Sequence, residues 1–330
     1  MTKFLVVGAN SFSGSHFVRR VIKEGHDVVG LGRGPEPSKQ FLPRLWDLKA
    51  AGTYTFHQLN LNQPLEELGG LMATICPEIV VNFAAQGMVA QSWEHPWDWF
   101  RTNTVGLSQL LHVLARQSSL QKYVHITTPE VYGSTEGWVK ENTNFAPSTP
   151  YAVSRAAGDW HVMNLVRTEN FPAVLTRAAN VFGPGQQLYR VIPRAFLSGF
   201  LSETFPLHGG GRSTRSFIHI TDVVEATYGL CFAGVPGETY HISSNELVSI
   251  KDLVTEVASM VGVDAGTLIE EVPDRAGKDE TYQLDSSKIR ALLAWQETIS
   301  VSQGLDQVRG WITDNLEHFR GLPRDYVHKA

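Results

Sequence analysis

The sequence predicts an α/β fold, a doubly wound parallel sheet with a smaller, interleaved lobe. Three observations carry this. Short apolar runs of β-type residues recur at Phe4–Val7, Val28–Leu31, Ile79–Phe83, Tyr123–Ile126 and Val174–Thr176. Stretches with helical spacing separate most of them, the pattern of a parallel sheet covered on both faces. After Gly183-Pro184-Gly185 the elements shorten and glycine-rich turns such as Gly209-Gly210-Gly211 appear, which marks a second lobe. In chain order, Phe4–Val7 leads into the turn Gly8-Ala9-Asn10-Ser11-Phe12-Ser13-Gly14, and a helical stretch runs from Ser15 to Ile22. Val28–Leu31 follows at the spacing of the second strand of a βαβ unit. Later helices are expected to begin near Thr221, Ser249 and Ser286, where hydroxyl or acidic residues can cap them. The expected division is residues 1–180 and, mainly, 181–330, with a segment near 213–235 returning to the first domain. There is no repeat, low-complexity segment or long linker.

Composition removes several classes of function. With 330 residues, 42% of them hydrophobic, the chain can bury one large core or a core with a lobe attached. A net charge of -5 without any block of Lys and Arg argues against a nucleic-acid partner, although an anionic ligand needs only local arginines. Cys76 and Cys231 lack metal-type spacing, and the 12 histidines form no H-E-x-x-H pattern, so neither a metal site nor a disulfide framework is expected. The run Phe4–Val7 is too short for a signal-peptide core or a membrane span, which makes a cytoplasmic location the expectation and gives no membrane partner.

Strand, glycine turn and helix together form an anion site. Backbone amides at a helix N-terminus cradle the pyrophosphate of a dinucleotide, which assigns Gly8, Asn10, Ser11, Phe12, Ser13 and Gly14 to a Rossmann-type cofactor site. Ser11 stands where the related pattern has a middle glycine, so a β-carbon is expected to crowd the cofactor there. At the end of the second strand, where an acidic residue would bind the ribose 2′-hydroxyl of NAD, the chain has Gly32 followed by Arg33. An arginine can grip a 2′-phosphate with two parallel hydrogen bonds, so NADP is favoured over NAD. The plainer alternative is an Arg33 that points into solvent. Asn60-Leu61 can flank an adenine, and Ala84-Ala85 allows close approach of a cofactor or simply tight packing.

Tyr151 and Arg155 are four apart at the start of a helical segment and share one face. A phenol beside a permanent cation is expected to have a lowered pKa, which suits a base that takes a hydroxyl proton while hydride leaves carbon. Upstream, Tyr123–Ile126 delivers Thr127 to Gly133 to the carboxyl edge of the sheet, where α/β sites lie. Thr128 can hold a substrate hydroxyl there, and Glu130 is a candidate base.

These motifs, in this order, resemble an extended short-chain dehydrogenase/reductase, and within that superfamily the nucleotide-sugar 4,6-dehydratases. The resemblance runs through Gly8–Gly14, Asn82–Gln86, Thr102-Asn103, Thr128–Gly133, Tyr151–Arg155, Arg177–Gln186, Arg212–Asp222 and Asp274–Asp279. It implies transient C4 oxidation by the bound cofactor, removal of the C5 proton, loss of water from C6 and return of the hydride to C6. Tyr151 becomes the redox base, Thr128 its partner at the C4 hydroxyl and Glu130 the C5 base. Gln86 and Asn103, with Tyr151 and Arg155, fall at the cofactor. Gln86, Asn180, Arg190, Arg215, Asn245 and Arg275 fall at the nucleoside diphosphate sugar. A homodimer through the helices near Trp97–Ala115 and Tyr151–Thr168 is implied as well, although Leu107, Leu110, Leu111 and Leu114 can equally serve the core. Arg155 replaces the family lysine, and Pro129 replaces the aspartic acid that many of these enzymes use to protonate the departing hydroxyl. Those changes keep two alternatives open: an epimerase or C4 dehydrogenase/reductase of the same superfamily, and a non-catalytic NADP-binding scaffold or sensor. Ala84-Ala85-Gln86 and Ser92-Trp93 resemble the GDP-mannose branch, whereas Arg212–His219 resembles the dTDP-glucose branch.

Overall fold

A computed structural model describes residues 1–46, 51–273 and 283–329. In the first domain the order is β1 (Lys3–Val7), α1 (Phe12–Lys23), β2 (Asp27–Gly32), β3 (Tyr54–Gln58), α2 (Leu65–Ile75), β4 (Ile79–Asn82) and α3 (Pro96–Phe100). A π-helical turn, Arg101–Gly106, joins α3 to α4 (Leu107–Leu114). There follow β5 (Lys122–Thr127), β6 (Trp138–Val139), α5 (Pro150–Glu169), β7 (Ala173–Ala178) and β8 (Asn180–Phe182). Beyond these come α6 (Val191–Phe200), β9 (Phe205–His208), β10 (Thr214–His219), α7 (Ile220–Ala233), β11 (Thr239–Ile242), β12 (Leu247–Ser249) and α8 (Ile250–Met260). The chain closes with α9 (Ala265–Leu268), β13 (Ile269–Val272), β14 (Gln283–Leu284), α10 (Ser287–Leu293), α11 (Val301–Asp314) and α12 (Leu316–Arg320).

Seven parallel strands form the large sheet in the order β11-β7-β5-β4-β1-β2-β3. Alternate residues of β1 face opposite layers: Leu5 and Val7 pack with α2, α4 and α5, while Phe4 and Val6 pack with α1 and α7. Both faces are covered, so the inner strands read as continuous apolar runs. The five strands expected from the sequence are present. β3 and β11 were not expected; both are sheet edges, and β3, Tyr-Thr-Phe-His-Gln, is only half-buried and carries no apolar run.

The second lobe gathers its own core from α6, β9, α8 and α11, around Phe196, Leu207, Leu253, Leu305 and Ile312. Its sheets are small: β12-β10-β8 and β13-β9. α7 packs on the first domain through Ile220, Val224 and Cys231, and β11 then adds to the large sheet beside β7. Two of the expected caps differ in detail. Ser249 caps α8 by accepting from the Asp252 amide at 3.0 Å. α7, however, begins at Ile220 with His219 as its cap, because the His219 ring accepts from the Thr221 amide. At α10 the Asp285 carboxylate accepts from the Ser287 amide, and the Ser286 hydroxyl is committed to the Ser243 carbonyl.

Candidate functional site

The turn after β1 shows why its glycines are required and its serine is tolerated. Gly8 has φ +80°, and a β-carbon there would lie 2.8 Å from the Ala84 amide nitrogen. A β-carbon on Gly14 would meet the Gly8 carbonyl oxygen at 2.2 Å. Ser11 sits at φ -76° as the N-cap of α1, its hydroxyl accepting from the Gly14 amide at 3.1 Å and donating to the Gly8 carbonyl at 2.7 Å. Within the turn the Ser11 side chain folds back into the cap. The amides of Phe12 and Ser13 open α1 with no acceptor among the described residues. Donors of this kind, at the positive end of a twelve-residue helix, fit a pyrophosphate.

Around that turn lie the other residues assigned to the cofactor. Asn10 does not reach outward: its amide donates to the carbonyls of Gly34 and Pro35 and fixes the loop after β2. A β-carbon on Gly32 would lie 2.6 Å from the Asn10 side chain, so a residue with a side chain there would displace Asn10 from its present bonds. Arg33 follows at the groove edge and donates to the Lys329 carbonyl at 2.9 Å. Asn60 accepts from the Asn62 amide, and Leu61 is buried in the core against α2 and α4. After β4, Ala84 is half-buried and Ala85 exposed, consistent with close approach of a ligand. Asn103, in the π-helical turn, accepts from the Gln86 amide at 2.8 Å and donates to the Gln86 carbonyl and the Ser154 hydroxyl. It braces the Ala84–Gln86 loop against α5. The Gln86 side chain donates to the Lys329 carbonyl.

The catalytic candidates converge at the carboxyl edge of β5. Thr128 caps a short 3-10 turn, Pro129–Tyr132, accepting from the Glu130 amide at 3.3 Å. Pro129 takes the first position of that turn, where a missing N–H and a fixed φ do no harm. Helix α5 starts at the Thr149 cap with Pro150 as its first residue, and this places Tyr151, Arg155 and Asp159 on one buried face. The Tyr151 phenol is raised above its ordinary pKa, contrary to the expectation from Arg155 alone. Burial is the largest cause, and the Glu130 carboxylate adds to it. Arg155, a hydrogen bond with Thr128 and Arg190 act in the opposite direction without overcoming them. The Arg155 guanidinium donates to the Ile126 carbonyl at the end of β5.

Beneath this group Asp159 pairs with Arg177 at 2.8 Å, both fully buried. His125 Nε2 is 3.6 Å from Asp159, beyond hydrogen-bond range, so Arg177 is the partner that holds the carboxylate. Burial alone would raise the Asp159 carboxyl; Arg177, His125 and Arg155 outweigh it and bring it below the usual range.

Of the residues assigned to the sugar nucleotide, Arg190 precedes α6, close enough to Tyr151 to act on its titration. Asn180 begins β8, and Arg215 lies in β10, donating to its neighbour's carbonyl at Thr214. Asn245 is exposed between β11 and β12. Arg275 lies outside the described residues. The sequence reading missed a set of residues that the fold brings to the same groove: Asp98 and Trp99 on α3, and Tyr326, His328 and Lys329 in the segment after α12. The density of aromatic and titratable side chains in Tyr326-Val327-His328-Lys329 was the available signal.

Among the described residues, no helix is long and apolar enough to cross a membrane. Residues 5–308 match the family model for GDP-mannose 4,6 dehydratase. A dTDP-glucose 4,6-dehydratase of Streptomyces niveus is 31% identical over 328 residues, covering 95% of this chain and 93% of the relative. A dTDP-glucose 4,6-dehydratase double mutant from Streptomyces venezuelae, solved with NAD bound, superposes with a TM-score of 0.87 at 26% identity, over 96% of this chain and 98% of that one. A UDP-glucuronic acid 4-epimerase from Bacillus cereus, in complex with UDP-glucuronic acid and NAD, gives 0.86 at 26% identity, over 94% and 99%. With its glycine turn, seven-stranded parallel sheet and Tyr151 group in place, the chain belongs to the nucleotide-sugar 4,6-dehydratase family of extended short-chain dehydrogenases/reductases.

Proposed function

We propose that this protein dehydrates a nucleoside-diphosphate hexose to its 4-keto-6-deoxy sugar, with Tyr151, Thr128 and Glu130 at the reacting carbons. The observation that carries the reading is the convergence of Thr128 and Glu130 on the buried Tyr151 phenol, next to the glycine-turn groove. The Gly8–Gly14 turn would hold a nicotinamide dinucleotide, which would supply reversible hydride acceptance for the sugar. Thr128 holds the C4 hydroxyl, and Tyr151 takes its proton. Oxidation at C4 acidifies C5, whose proton Glu130 removes as a general base. Because Pro129 has no proton to give, Glu130 passes the proton it has taken to the departing C6 oxygen. One carboxyl thus serves as base and then acid, water leaves, and a proton drawn from solvent is added at C5 as the hydride is returned to C6. Arg190, Arg215, Asn180 and Asn245 contact the nucleoside diphosphate, the arginines through paired N–H donors suited to phosphate.

Arg33 beside Gly32, where no carboxylate stands to repel a 2′-phosphate, favours NADP over NAD, although the relative from Streptomyces venezuelae holds NAD. Assembly as a homodimer is supported by a line of exposed apolar side chains on α3, the π-helical turn and α5: Trp97, Phe100, Val105, Val153 and Trp160. The leucines of α4 are buried and belong to the monomer's core.

Incubation with GDP-, dTDP-, UDP- and CDP-sugars, followed by mass analysis, tests the reaction. Loss of one water from one of them is the expected outcome. Unchanged mass with a new diastereomer supports 4-epimerisation, the second reading, which the epimerase neighbour and the missing acid at Pro129 favour. Titration of the protein with NADP and NAD tests the cofactor: tighter NADP binding that Arg33→Ala abolishes is expected, and equal affinity refutes the preference.

A further inference from the structure

The segment after α12 crosses from one lobe to the other over the cofactor groove, and nearly every residue of it has a defined contact. Arg324 forms a forked ion pair with Glu203 behind α6, and Asp325 pairs with Arg194 of α6 at 3.1 Å. The Tyr326 ring packs edge-on against Tyr189. Arg33, Arg190 and Asp98 all act on its phenol, so that ring stands where the cofactor and sugar regions meet. His328 inserts between two rings of the first domain: it is stacked 5.1 Å from Trp99, with an interplanar angle of 7°, and 5.1 Å from His95. Its Nε2 lies 2.8 Å from the carboxylate of Asp98, which is itself buried. The Lys329 carbonyl then accepts from both Arg33 and Gln86.

The sheet order gives that last contact its meaning. Arg33 follows β2 and Gln86 follows β4, and β1 lies between those two strands. One carbonyl held by both therefore bridges the carboxyl end of β1, above the Gly8–Gly14 turn and the open amides of α1. In the proposed reaction, on which this inference rests, the hydride taken at C4 is returned at C6. The cofactor ends each turnover as it began and has no need to leave, so a closed groove is compatible with continuous catalysis.

We propose that Arg324–Lys329 is a strap belonging to the cofactor site, latched by His328 on Asp98 and Trp99, that holds the dinucleotide in its groove between turnovers. His328 and Lys329 are positioning residues: they close the exit and have no part in the chemistry. The strap contributes to retention through the latch and through the two donors it fixes, and release of a dinucleotide requires both lobes' anchors to let go.

The test is the dissociation rate of bound NADPH and of NADH, followed by stopped-flow fluorescence after dilution into excess oxidised cofactor, on the full chain. His328→Ala removes the latch on the first domain. The double variant Arg324→Ala/Asp325→Ala releases the other end at solvent-facing positions, so each change reports without the other. Acceleration of release by about tenfold or more in both variants is expected, the effect of losing one charge-assisted contact. Near-ultraviolet circular dichroism establishes that each variant is folded. Release at the parental rate in either folded variant overturns the proposal, as does slower release, which would make the segment a competitor of the cofactor. The sugar reaction is scored separately by product mass: accelerated release without any loss of water leaves the strap standing and removes the dehydratase reading, and unchanged release with water loss does the reverse.

Discussion

Tyr151 illustrates how a single side chain is set by opposing neighbours. Burial and the Glu130 carboxylate raise its pKa, and Arg155, Thr128 and Arg190 restrain the rise. Removing the Glu130 charge therefore lowers it, so the phenolate forms at lower pH. Glu130→Gln is expected to stop water loss while C4 oxidation continues, visible as transient reduced cofactor, with the ascending limb of that oxidation moved toward acid. Tyr151→Phe is expected to abolish oxidation with the fold intact. Water loss at the parental rate in Glu130→Gln, or an unmoved limb, would remove the carboxylate from both roles. The same comparison explains which site residues were legible in the sequence. Gly14 is demanded by a contact inside one short turn and Gly8 by its positive φ in the same turn, so local pattern reveals them. The direction of the Tyr151 shift was not legible, because it depends on burial and on a carboxylate brought from another loop.

At the scale of elements, α5 carries chemistry at one end and a buried ion pair farther along the same face. Tyr151, Arg155 and Asp159 repeat every four residues, and Arg177 of β7 meets the last of them. Deleting one partner strands a guanidinium in the core, which costs about 3–5 kcal/mol. Asp159→Ala should lower stability by that amount in urea denaturation and loosen the seating of α5 on the sheet; a loss below 1 kcal/mol, roughly that of an exposed pair, would contradict it. The inner strands were legible because burial on both faces produces unbroken apolar runs. The edges β3 and β11 were not, since Tyr-Thr-Phe-His-Gln and Thr-Tyr-His-Ile mix polar with apolar residues and carry no such run. The strap was invisible for a different reason: its contacts are made about 240 to 300 residues away in the chain, from Lys329 to Gln86 and Arg33, and no local periodicity encodes them.

Over the whole molecule, burial holds several histidines neutral, His16, His219 and His241 among them. His16 and His241 are pushed down to about 3 and His219 to about 4, in each case mainly because the charged ring would be desolvated. An unfolded chain protonates them near the ordinary value of about 6.5. The unfolded state therefore binds more protons below that pH, and stability present in full above about 6.5 falls as the pH drops. Each site removes on the order of 2 kcal/mol between pH 7 and pH 5. Urea midpoints at the two pH values should differ accordingly, and His16→Gln should reduce the difference; equal midpoints would show that these rings are hydrated. The interleaving of the two lobes has a temporal side too. α1 is complete at Lys23, yet α7, which packs on it through Val224, Cys231 and the Arg20–Glu225 pair, begins only at Ile220. A ribosome adding roughly 5–20 residues per second takes about 10–40 s to make the intervening stretch. For that interval the nascent chain offers Phe17, Val18 and Val21 to solvent or to a chaperone, and rapid synthesis shortens the wait.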